Sequence, residues 1–532
     1  MDGYVALVLH AHLPFVRHPE HERFLEEHWL FEALSECYLP LLRLLEHWRA
    51  DGVSAPITLT LTPTLCAMLG DPLLQGRYAR HLELLVELSE KELHRTLWEK
   101  AFHELALQYQ ARFLQLQDDY RACGGDLLGR FRRLQEQGRI EIITCAATHA
   151  LLPLLARHLP SLRAQLFVAR DEYRRCFGCD PRGIWLPECG YAEALEPVLK
   201  EAGLNWFITD THGVLQAQPR PRYGIFAPLI TPQGLAAFGR DMASAKQVWS
   251  RDEGYPGDPR YRDFYRDIGF DLDLDYVKPY LPAPEQRTFT GLKYHRITGR
   301  SASKLPYVRQ AALRAADEHA VHFLSARIEQ VKRLKEVMER PPLVLSPYDA
   351  ELFGHWWYEG PEFLDFFVRK AASDQQTFRL TTPSEFLQRE PRQQLATPAP
   401  SSWGEGGYWG VWLNEKNEWI YRHLQRAQER MSELARRFGG NERGQAGPVT
   451  DLEGRALRQA GRELLLAQAS DWPFILRTGT SPDYARKRVE EHLVRFTRLH
   501  EQLSNGAIDE LALGAMEASD NLFPGLNWRY WL

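Results

Sequence analysis

The stretch Tyr4-Val5-Ala6-Leu7-Val8-Leu9-His10-Ala11-His12 is an apolar run that ends in two histidines. Because side chains alternate along a strand, His10 and His12 share one face of the strand that this run predicts. Similar runs recur at residues 57–61, 140–144, 183–186, 206–209, 235–238, 343–346 and 378–381, and helical patterns separate many of them. Alternation of this kind is typical of a parallel sheet with helical cover, either a barrel or a doubly wound fold.

Polar residues directly follow many of the predicted strands. Besides the two histidines they are His149, Glu188, Asp210, Arg240 and Asp349. In a parallel barrel the carboxyl ends of the strands form the rim that carries the site. The placement of these polar residues therefore favours a barrel over an open sheet.

The composition is that of a folded globular chain, with 532 residues, 44% hydrophobic residues and a net charge of −5. No long Lys/Arg run is present, which argues against a nucleic-acid partner. No window approaches the roughly 18 continuous apolar residues of a membrane span, and the start carries no signal-like pattern. We expect a cytoplasmic protein that binds neither nucleic acid nor a membrane.

The seven cysteines are an odd number spread over a long chain, which argues against a disulfide framework. Cys176 and Cys179 form one CxxC pair. Without a second pair this motif is weak support for zinc, and two thiols at a helix-to-strand turn are the simpler interpretation.

Two stretches place a carboxylate among aromatic residues after a strand-like run: Trp185-Leu186-Pro187-Glu188-Cys189-Gly190-Tyr191 and Ser346-Pro347-Tyr348-Asp349-Ala350-Glu351. Burial and neighbouring groups shift the pKa of such carboxylates away from the solution value. Two of them on different strand ends can divide the roles of nucleophile and acid/base at a sugar. Glu188 and Asp349 are the predicted pair, and Glu351 stays open as a second candidate acid.

The histidines allow three interpretations. His10 and His12 on one strand face, joined by His149, could hold a metal ion. That hypothesis would make the chain a metal-dependent polysaccharide hydrolase, such as a deacetylase or a zinc mannosidase. Alternatively the imidazoles bind sugar hydroxyls, or they cap the backbone at the strand ends.

Aromatic residues are unusually dense. The chain has fifteen tryptophans, and six Trp and Tyr residues fall within residues 403–421. Flat rings along a groove suit the apolar faces of pyranose rings, although some of these residues must serve packing instead. A glucan-binding protein without turnover is a further alternative, against which the carboxylate pair argues.

The chain divides into three regions by pattern. Residues 1–212 and 284–388 carry the strand and helix alternation of the barrel, while residues 213–283 are irregular and predict an inserted domain over the barrel mouth. After a Pro-rich linker, residues 403–532 predict a helical domain that contributes aromatic residues to the site. Its helices are indicated by an amphipathic run, by a capping box at Thr450 and by Pro482 after Ser481.

These motifs resemble the signatures of glycoside hydrolase family 57, and within that family those of the branching enzymes. His10-Ala11-His12-Leu13-Pro14 is similar to the first signature, and residues 138–149, 185–191 and 348–356 are similar to the next three. Residues 414–419 and 468–473 resemble the fifth signature and the tail of branching enzymes. The likeness spans nearly the whole chain.

The resemblance implies an α/β fold with a (β/α)7 barrel, an inserted small domain and an all-α C-terminal domain. It implies a retaining transfer of an α-1,4-glucan chain to a 6-hydroxyl, with Glu188 as nucleophile, Asp349 as general acid/base and no metal or other cofactor. Amylose, amylopectin and glycogen would be donor and acceptor for a monomeric enzyme of glycogen biosynthesis. The predicted substrate-binding residues are His10, His12, His149, Trp185, Asp210, Arg240, Trp249, Gly257, Trp357, Trp403, Trp412, Gln468 and Asp471.

One stretch departs from the family pattern. Related branching enzymes often carry a long loop with a tyrosine at its tip before the Arg240 segment. The corresponding stretch here, residues 213–237, is short, and Tyr223 is its one tyrosine. A lid keeps water from a covalent intermediate, so hydrolysis could compete with transfer. A 4-α-glucanotransferase or an α-amylase of the same family is therefore the nearest alternative.

Overall fold

The computed structural model describes residues 1–250, 253–283, 286–301, 303–439 and 449–532. The strands in these ranges are β1 Gly3–Ala11, β2 Ile57–Leu61, β3 Ile140–Ile143, β4 Gly183–Trp185, β5 Trp206–Thr209, β6 Leu229–Ile230, β7 Ala236–Gly239, β8 Leu343–Asp349, β9 Phe378–Leu380 and β10 Gln394–Leu395.

The α-helices are α1 Glu27–Ala33, α2 Leu39–Ala50, α3 Pro63–Leu69, α4 Pro72–Arg95, α5 Lys100–Ala122, α6 Leu127–Glu136, α7 Leu152–Leu155, α8 Leu159–Phe177, α9 Glu196–Glu201, α10 Thr211–Leu215, α11 Met242–Trp249, α12 Ile268–Asp271, α13 Leu274–Val277, α14 Arg309–Val337, α15 Gly360–Ser373, α16 Pro383–Arg389, α17 Trp419–Gly439, α18 Asp451–Ala467, α19 Asp471–Thr478, α20 Pro482–Asn505 and α21 Glu510–Ser519. Short 3₁₀ turns, Pro187–Cys189 and Ala350–Leu352, follow β4 and β8.

Within the described residues, seven strands close into a ring in the order β1, β2, β3, β4, β5, β7, β8. The ladders of this ring are parallel. β3 and β4 meet at a parallel bridge between Thr144 and Ile184. The ring closes between β7 and β8, where the Asp241 amide donates to the carbonyl of Leu345 at 2.9 Å. The predicted (β/α)7 barrel is confirmed.

The barrel strands are buried on both faces, as expected for a parallel sheet with helical cover. On β1, Ala6 and Val8 pack inside the barrel, while Val5, Leu7 and Leu9 pack against the surrounding helices. The alternation continues at the carboxyl end of the strand. His10 and His12 therefore follow the inward series, and their ring centroids lie 5.9 Å apart.

Smaller strands extend the barrel wall. β9 pairs with the first residues of β1, and β6 pairs with β7 and with β10. β7 lies inside the range 213–283, which the sequence assigns to the inserted domain, yet it pairs with β5 in the ring. The irregular covering segment therefore begins after β7, and the other domain boundaries remain predictions.

The C-terminal region is helical, as predicted. The capping box of Thr450 and Glu453 opens α18, and α20 begins at Pro482 and ends before Gly506, which is left-handed. An antiparallel bridge between Ala150 and Ala469 joins this region to the barrel. None of the described helices has the length and apolar character to cross a membrane.

The cysteines carry no disulfide: all seven thiols are free. Cys176 is buried near the end of α8, whereas Cys179 is exposed beyond the turn at Gly178. The groupings of potential metal ligands found among the described residues do not include this pair. Cys176 is therefore in the last turn of α8 and Cys179 follows the helix, at the helix-to-strand turn of the simpler interpretation.

Candidate active site

The backbone around Glu188 is strained. Glu188 has φ 61° and Cys189 has φ 51° in the 3₁₀ turn after β4, and His149 has φ 56°. Left-handed conformations are costly for residues other than glycine, and they persist where the surroundings enforce them. Such strain clusters at functional sites, so three strained residues at one end of the barrel mark this end as a candidate site.

Two neutral donors hold the Glu188 carboxylate. Oε1 accepts a hydrogen bond from Ser470 Oγ at 2.7 Å, and Oε2 accepts one from Trp403 Nε1 at 2.7 Å. Burial raises the pKa of Glu188 to about 7, although both donors oppose the shift. Both donors come from the part of the chain beyond residue 400, so this part completes the environment of the carboxylate.

Asp349 is the last residue of β8 and lies in register with His10 of β1. Burial, with a contribution from Glu351, raises the pKa of Asp349 to about 7 against the effects of Arg240 and His12. Glu351 itself accepts hydrogen bonds from the His12 amide at 3.1 Å and from the Tyr38 hydroxyl. Both hydrogen bonds use Oε1 of Glu351, and Asp349 stays the predicted second reactive carboxyl group.

His10 and His149 form a neutral pair. Their Nε2 atoms lie 3.0 Å apart, and the His10 ring stacks on Trp185 with centroids 4.4 Å apart. Burial lowers the pKa of both histidines well below the ordinary value. The two imidazoles therefore act through hydrogen bonds and packing, not through charge.

His12 differs from the other two histidines. Its Nδ1 lies 3.1 Å from Thr62 Oγ1 and its Nε2 lies 3.0 Å from Asp471 Oδ1. Burial alone would lower the pKa of His12, but Asp471, Glu188 and Glu351 raise it above the ordinary value. His12 in its protonated form lowers the pKa of both candidate catalytic groups, Glu188 and Asp349.

The same imidazoles offer potential metal ligands. Ligand atoms of His12, His149 and Asp471 lie within 4.8 Å of one another. However, both nitrogens of His12 and of His149 already lie within hydrogen-bond distance of protein atoms. A metal ion would have to replace these hydrogen bonds. A site without metal stays a prediction, and activity after exhaustive chelation tests it.

Arg240 and Asp210 line another side of the site. Arg240 Nη1 lies 3.5 Å from Asp210 Oδ2, and the guanidinium lies 5.7 Å from the Trp403 ring centroid. The Trp403 ring in turn meets Trp185 edge-on at 5.3 Å. These contacts bring three predicted substrate contacts, Arg240, Asp210 and Trp403, to the side of Glu188.

Comparison with known proteins agrees with this architecture. The family model of glycosyl hydrolase family 57 matches residues 6–399. The chain belongs to glycoside hydrolase family 57. A second model, that of the C-terminal region of 1,4-alpha-glucan branching enzymes, matches residues 423–531.

Proteins similar to this family 57 chain include branching enzymes and a protein named an alpha-amylase. The chain is 33% identical to a 1,4-alpha-glucan branching enzyme of Thermococcus kodakarensis, over 98% of this chain and 78% of that protein. The structure is similar to that of an alpha-amylase from Thermotoga maritima, with TM-score 0.92 and 42% identity over 100% and 99% of the two chains. It is also similar to a family 57 branching enzyme from Pyrococcus horikoshii, with TM-score 0.88 and 32% identity over 100% and 97%.

Among four further predicted substrate contacts of this family 57 chain, Trp412 packs beside Trp403, whereas Trp357, Trp249 and Gly257 make no described contact with Glu188. Trp357 is 2% exposed and packs against Phe363 in the core, with ring centroids 4.9 Å apart, and Trp412 is 1% exposed. Both rings are as buried as His10 and His149 of the site, and their sugar contacts stay predictions. Trp249 is exposed at the end of α11, and Gly257 ends a short 3₁₀ turn. No described contact joins these two to Glu188.

Trp185 is also fully buried and its ring stacks on His10, and its sugar contact stays a prediction. The Gln468 amide oxygen accepts from Gln165 Nε2 at 2.9 Å, behind the His149 turn. By contrast, Trp356, beside Trp357, is 54% exposed and stacks on Phe264 at 4.6 Å. The sequence pattern alone does not tell which of two adjacent tryptophans faces solvent.

Ser470 is the residue that sequence reasoning missed. It lies between two residues that were predicted as contacts, Gln468 and Asp471, but a serine 282 positions from Glu188 gives no spacing signal. A residue of this kind is found only from the folded chain.

Proposed function

We propose that this family 57 chain is a 1,4-alpha-glucan branching enzyme that cleaves α-1,4 bonds and forms α-1,6 branches. The observation that carries the proposal is the pair Glu188 and Asp349, which follow β4 and end β8 in one barrel and are buried with the pKa of each raised to about 7. Branching enzymes among the relatives, and the match to their C-terminal region, support it.

In the proposed first step, a Glu188 oxygen attacks the anomeric carbon as the glycosidic bond breaks, and Asp349 gives its proton to the departing oxygen. In the second step, the 6-hydroxyl of another glucan attacks that carbon, its proton goes to Asp349, and Glu188 leaves as a carboxylate. The configuration is retained because the carbon inverts twice. Such a reaction requires carboxyl groups about 5–5.5 Å apart.

Hydrolysis, as in an α-amylase, is the second candidate. The similarity to the Thermotoga protein named an alpha-amylase favours it, and so does the position of the segment that holds Tyr223. The carbonyl of Phe226 accepts from the amide of Leu343, the first residue of β8, whereas Asp349 is the last. This segment therefore lies about 20 Å from Asp349 along the strand and cannot exclude water there.

Product analysis on amylose separates the two candidates. A branching enzyme forms new α-1,6 linkages with little change in reducing ends, and an amylase releases reducing ends without branches. A 4-α-glucanotransferase forms only new α-1,4 linkages. Glu188→Gln protein from the same preparation is the control for contaminating activity, and an unmodified protein that forms no α-1,6 linkages would overturn the proposal.

We further propose that the protein is a cytoplasmic monomer of glycogen biosynthesis, with amylose, amylopectin and glycogen as donor and acceptor. The proposed barrel consists of residues 1–212 and 284–388 together with β7. The other residues of 213–283 form the proposed inserted domain over the barrel mouth, and residues 403–532 form the proposed helical domain. Light scattering in solution tests the monomer, since a stable dimer would double the mass of 61.5 kDa.

A further inference from the structure

Ser470 lies between a catalytic candidate and a histidine. It directly precedes α19, and its side-chain oxygen lies 2.7 Å from Glu188 Oε1 and 2.8 Å from His149 Nδ1. The residue is 2% exposed. Its amide donates to the carbonyl of His149 at 3.1 Å, so both backbone and side chain tie it to the His149 turn.

Hydrogen bonds link Glu188, Ser470, His149 and His10 in that order. When Glu188 is ionised, only one assignment of donors and acceptors is possible along this series. A carboxylate only accepts, so the Ser470 hydroxyl donates to Glu188 and accepts from His149 Nδ1–H. Neutral His149 then has a bare Nε2, which accepts from His10 Nε2–H. His10 Nδ1 is bare in turn, and among the described residues this buried atom has no hydrogen-bond partner.

The opposite direction leaves a donor unsatisfied. The Trp403 indole can only donate, so it blocks Oε2 and places the proton of a neutral Glu188 on Oε1. Donor and acceptor then exchange in each hydrogen bond of the series. His10 carries its proton on Nδ1, for which the described residues offer no acceptor. Because His10 Nδ1 lacks a partner in both directions, the hydrogen bond from the Ser470 hydroxyl to Glu188 Oε1 is what favours the ionised carboxylate.

We propose that Ser470 is a positioning residue for the nucleophile, which connects the His10–His149 pair to Glu188 and keeps its carboxylate ionised and oriented for attack. This inference rests on the proposed function, in which Glu188 is the nucleophile. It makes the helical C-terminal region part of the catalytic apparatus, because α18 and α19 place the hydroxyl.

Other groups also act on Glu188. The charged or titratable neighbours are His12, His149, Asp471, Cys145 and Cys189, and Trp403 supplies the second hydrogen bond. A test must therefore change the hydroxyl of Ser470 alone. Ser470→Thr and Ser470→Val form a matched pair, because the two side chains have the same shape and only Thr keeps the hydroxyl.

The first readout is the pH dependence of kcat and KM on amylose. In Ser470→Val, the acid limb of the pH–kcat profile should move to higher pH by about one unit, because a hydrogen bond to a charged group is lost. We also expect kcat to be reduced and KM to be nearly unchanged. Ser470→Thr should restore the wild-type limb. Ser401→Val is the control, since the Ser401 hydroxyl is buried against Thr209 at 2.9 Å. The acid limb of the pH–kcat profile of Ser401→Val should lie at the same pH as that of the wild type.

The second readout does not depend on the reaction. In protein labelled with ¹³C at the Glu side-chain carboxyl, the Glu188 resonance is identified by its loss in Glu188→Gln, and its titration is followed by NMR. A higher midpoint in Ser470→Val than in Ser470→Thr supports the inference, and equal midpoints overturn it. Failure of the proposed function is distinct, because the absence of α-1,6 linkages in the products of the unmodified protein would reject branching, and full activity in Glu188→Gln would reject the nucleophile.

Discussion

Two buried clusters of this molecule combine carboxylates with histidine, one at the barrel rim and one inside the helical region. At the rim, neutral donors hold Glu188, and burial raises its pKa to about 7. In the helical region Asp520 lies 3.1 Å from Arg488 and also pairs with Arg495. Although burial alone would raise the pKa of Asp520, these cations lower it to about 2.

The difference lies in what compensates the negative charge. The helical cluster, Glu463, His492 and Asp520, offers ligand atoms within 4.8 Å of one another, as the rim does, but arginines neutralise Asp520. A carboxylate with a fixed cation is a poor proton donor or nucleophile, so Asp520 has a structural role. The rim keeps carboxyl groups that titrate near neutrality, as acid/base chemistry requires.

The largest contrast should come from replacing one carboxyl group in each cluster. Glu188→Gln should reduce glucan transfer at least ~10³-fold with the fold retained, because the nucleophile is lost. Glu463→Gln should retain the rate per folded molecule. Initial rates, normalised to the folded fraction from circular dichroism, check both variants, and near-normal activity of Glu188→Gln would reject its assignment.

Asp520→Asn should lower the stability of the fold and not the rate of glucan transfer per folded molecule. It leaves Arg488 and Arg495 without their buried partner, so we expect the free energy of unfolding to fall by about 3–5 kcal/mol at pH 7. In the wild type this contribution is present above pH ~4 and is lost as the pH falls towards about 2, because the folded state lowers the pKa of Asp520. Urea unfolding across this pH range measures it. No loss of stability in the variant would contradict the structural role.

Asp349 should contribute to the pH dependence of stability with the opposite sign to Asp520, and Asp349→Asn tests this. Because burial, with Glu351, raises the pKa of Asp349 from 3.8 to about 7, the wild type binds an extra proton when folded and loses stability as the pH rises from about 4 to 7. The variant lacks this loss. Its stability relative to the wild type should therefore rise over that range and stay constant above pH 7. A relative stability independent of pH in the same urea experiments would refute the raised pKa.

The smallest contrast concerns two indole rings. Trp403→Phe removes the hydrogen bond to Glu188 and should lower kcat by roughly 10–100-fold, the value of a hydrogen bond to a charged group. Trp412→Phe is the matched control, since the buried Trp412 Nε1 has no hydrogen-bond partner among the described residues. Steady-state kinetics compare the two variants, and equal losses would show that ring volume, and not the donor, matters.

Much of the fold follows from local pattern. The run from Tyr4 to His12 predicts a buried strand with two histidines on one face, and β1 confirms both. The capping box at Thr450 likewise marks the start of α18. The buried positions of Trp357 and Trp412 were not predictable, because aromatic density does not show which ring faces solvent.

The sequence by itself determined the alternation of strands and helices, the carboxylates that follow β4 and end β8, and the likeness to family 57, because these depend on periodicity and on contiguous motifs. Only the tertiary structure decided that Ser470 and Trp403 hold Glu188, that Asp471 and Thr62 hold His12, and that the Tyr223 segment lies at the other end of the barrel. The reason is physical. A hydrogen bond between residues hundreds of positions apart depends on how the strands and helices pack, and no local pattern records that packing.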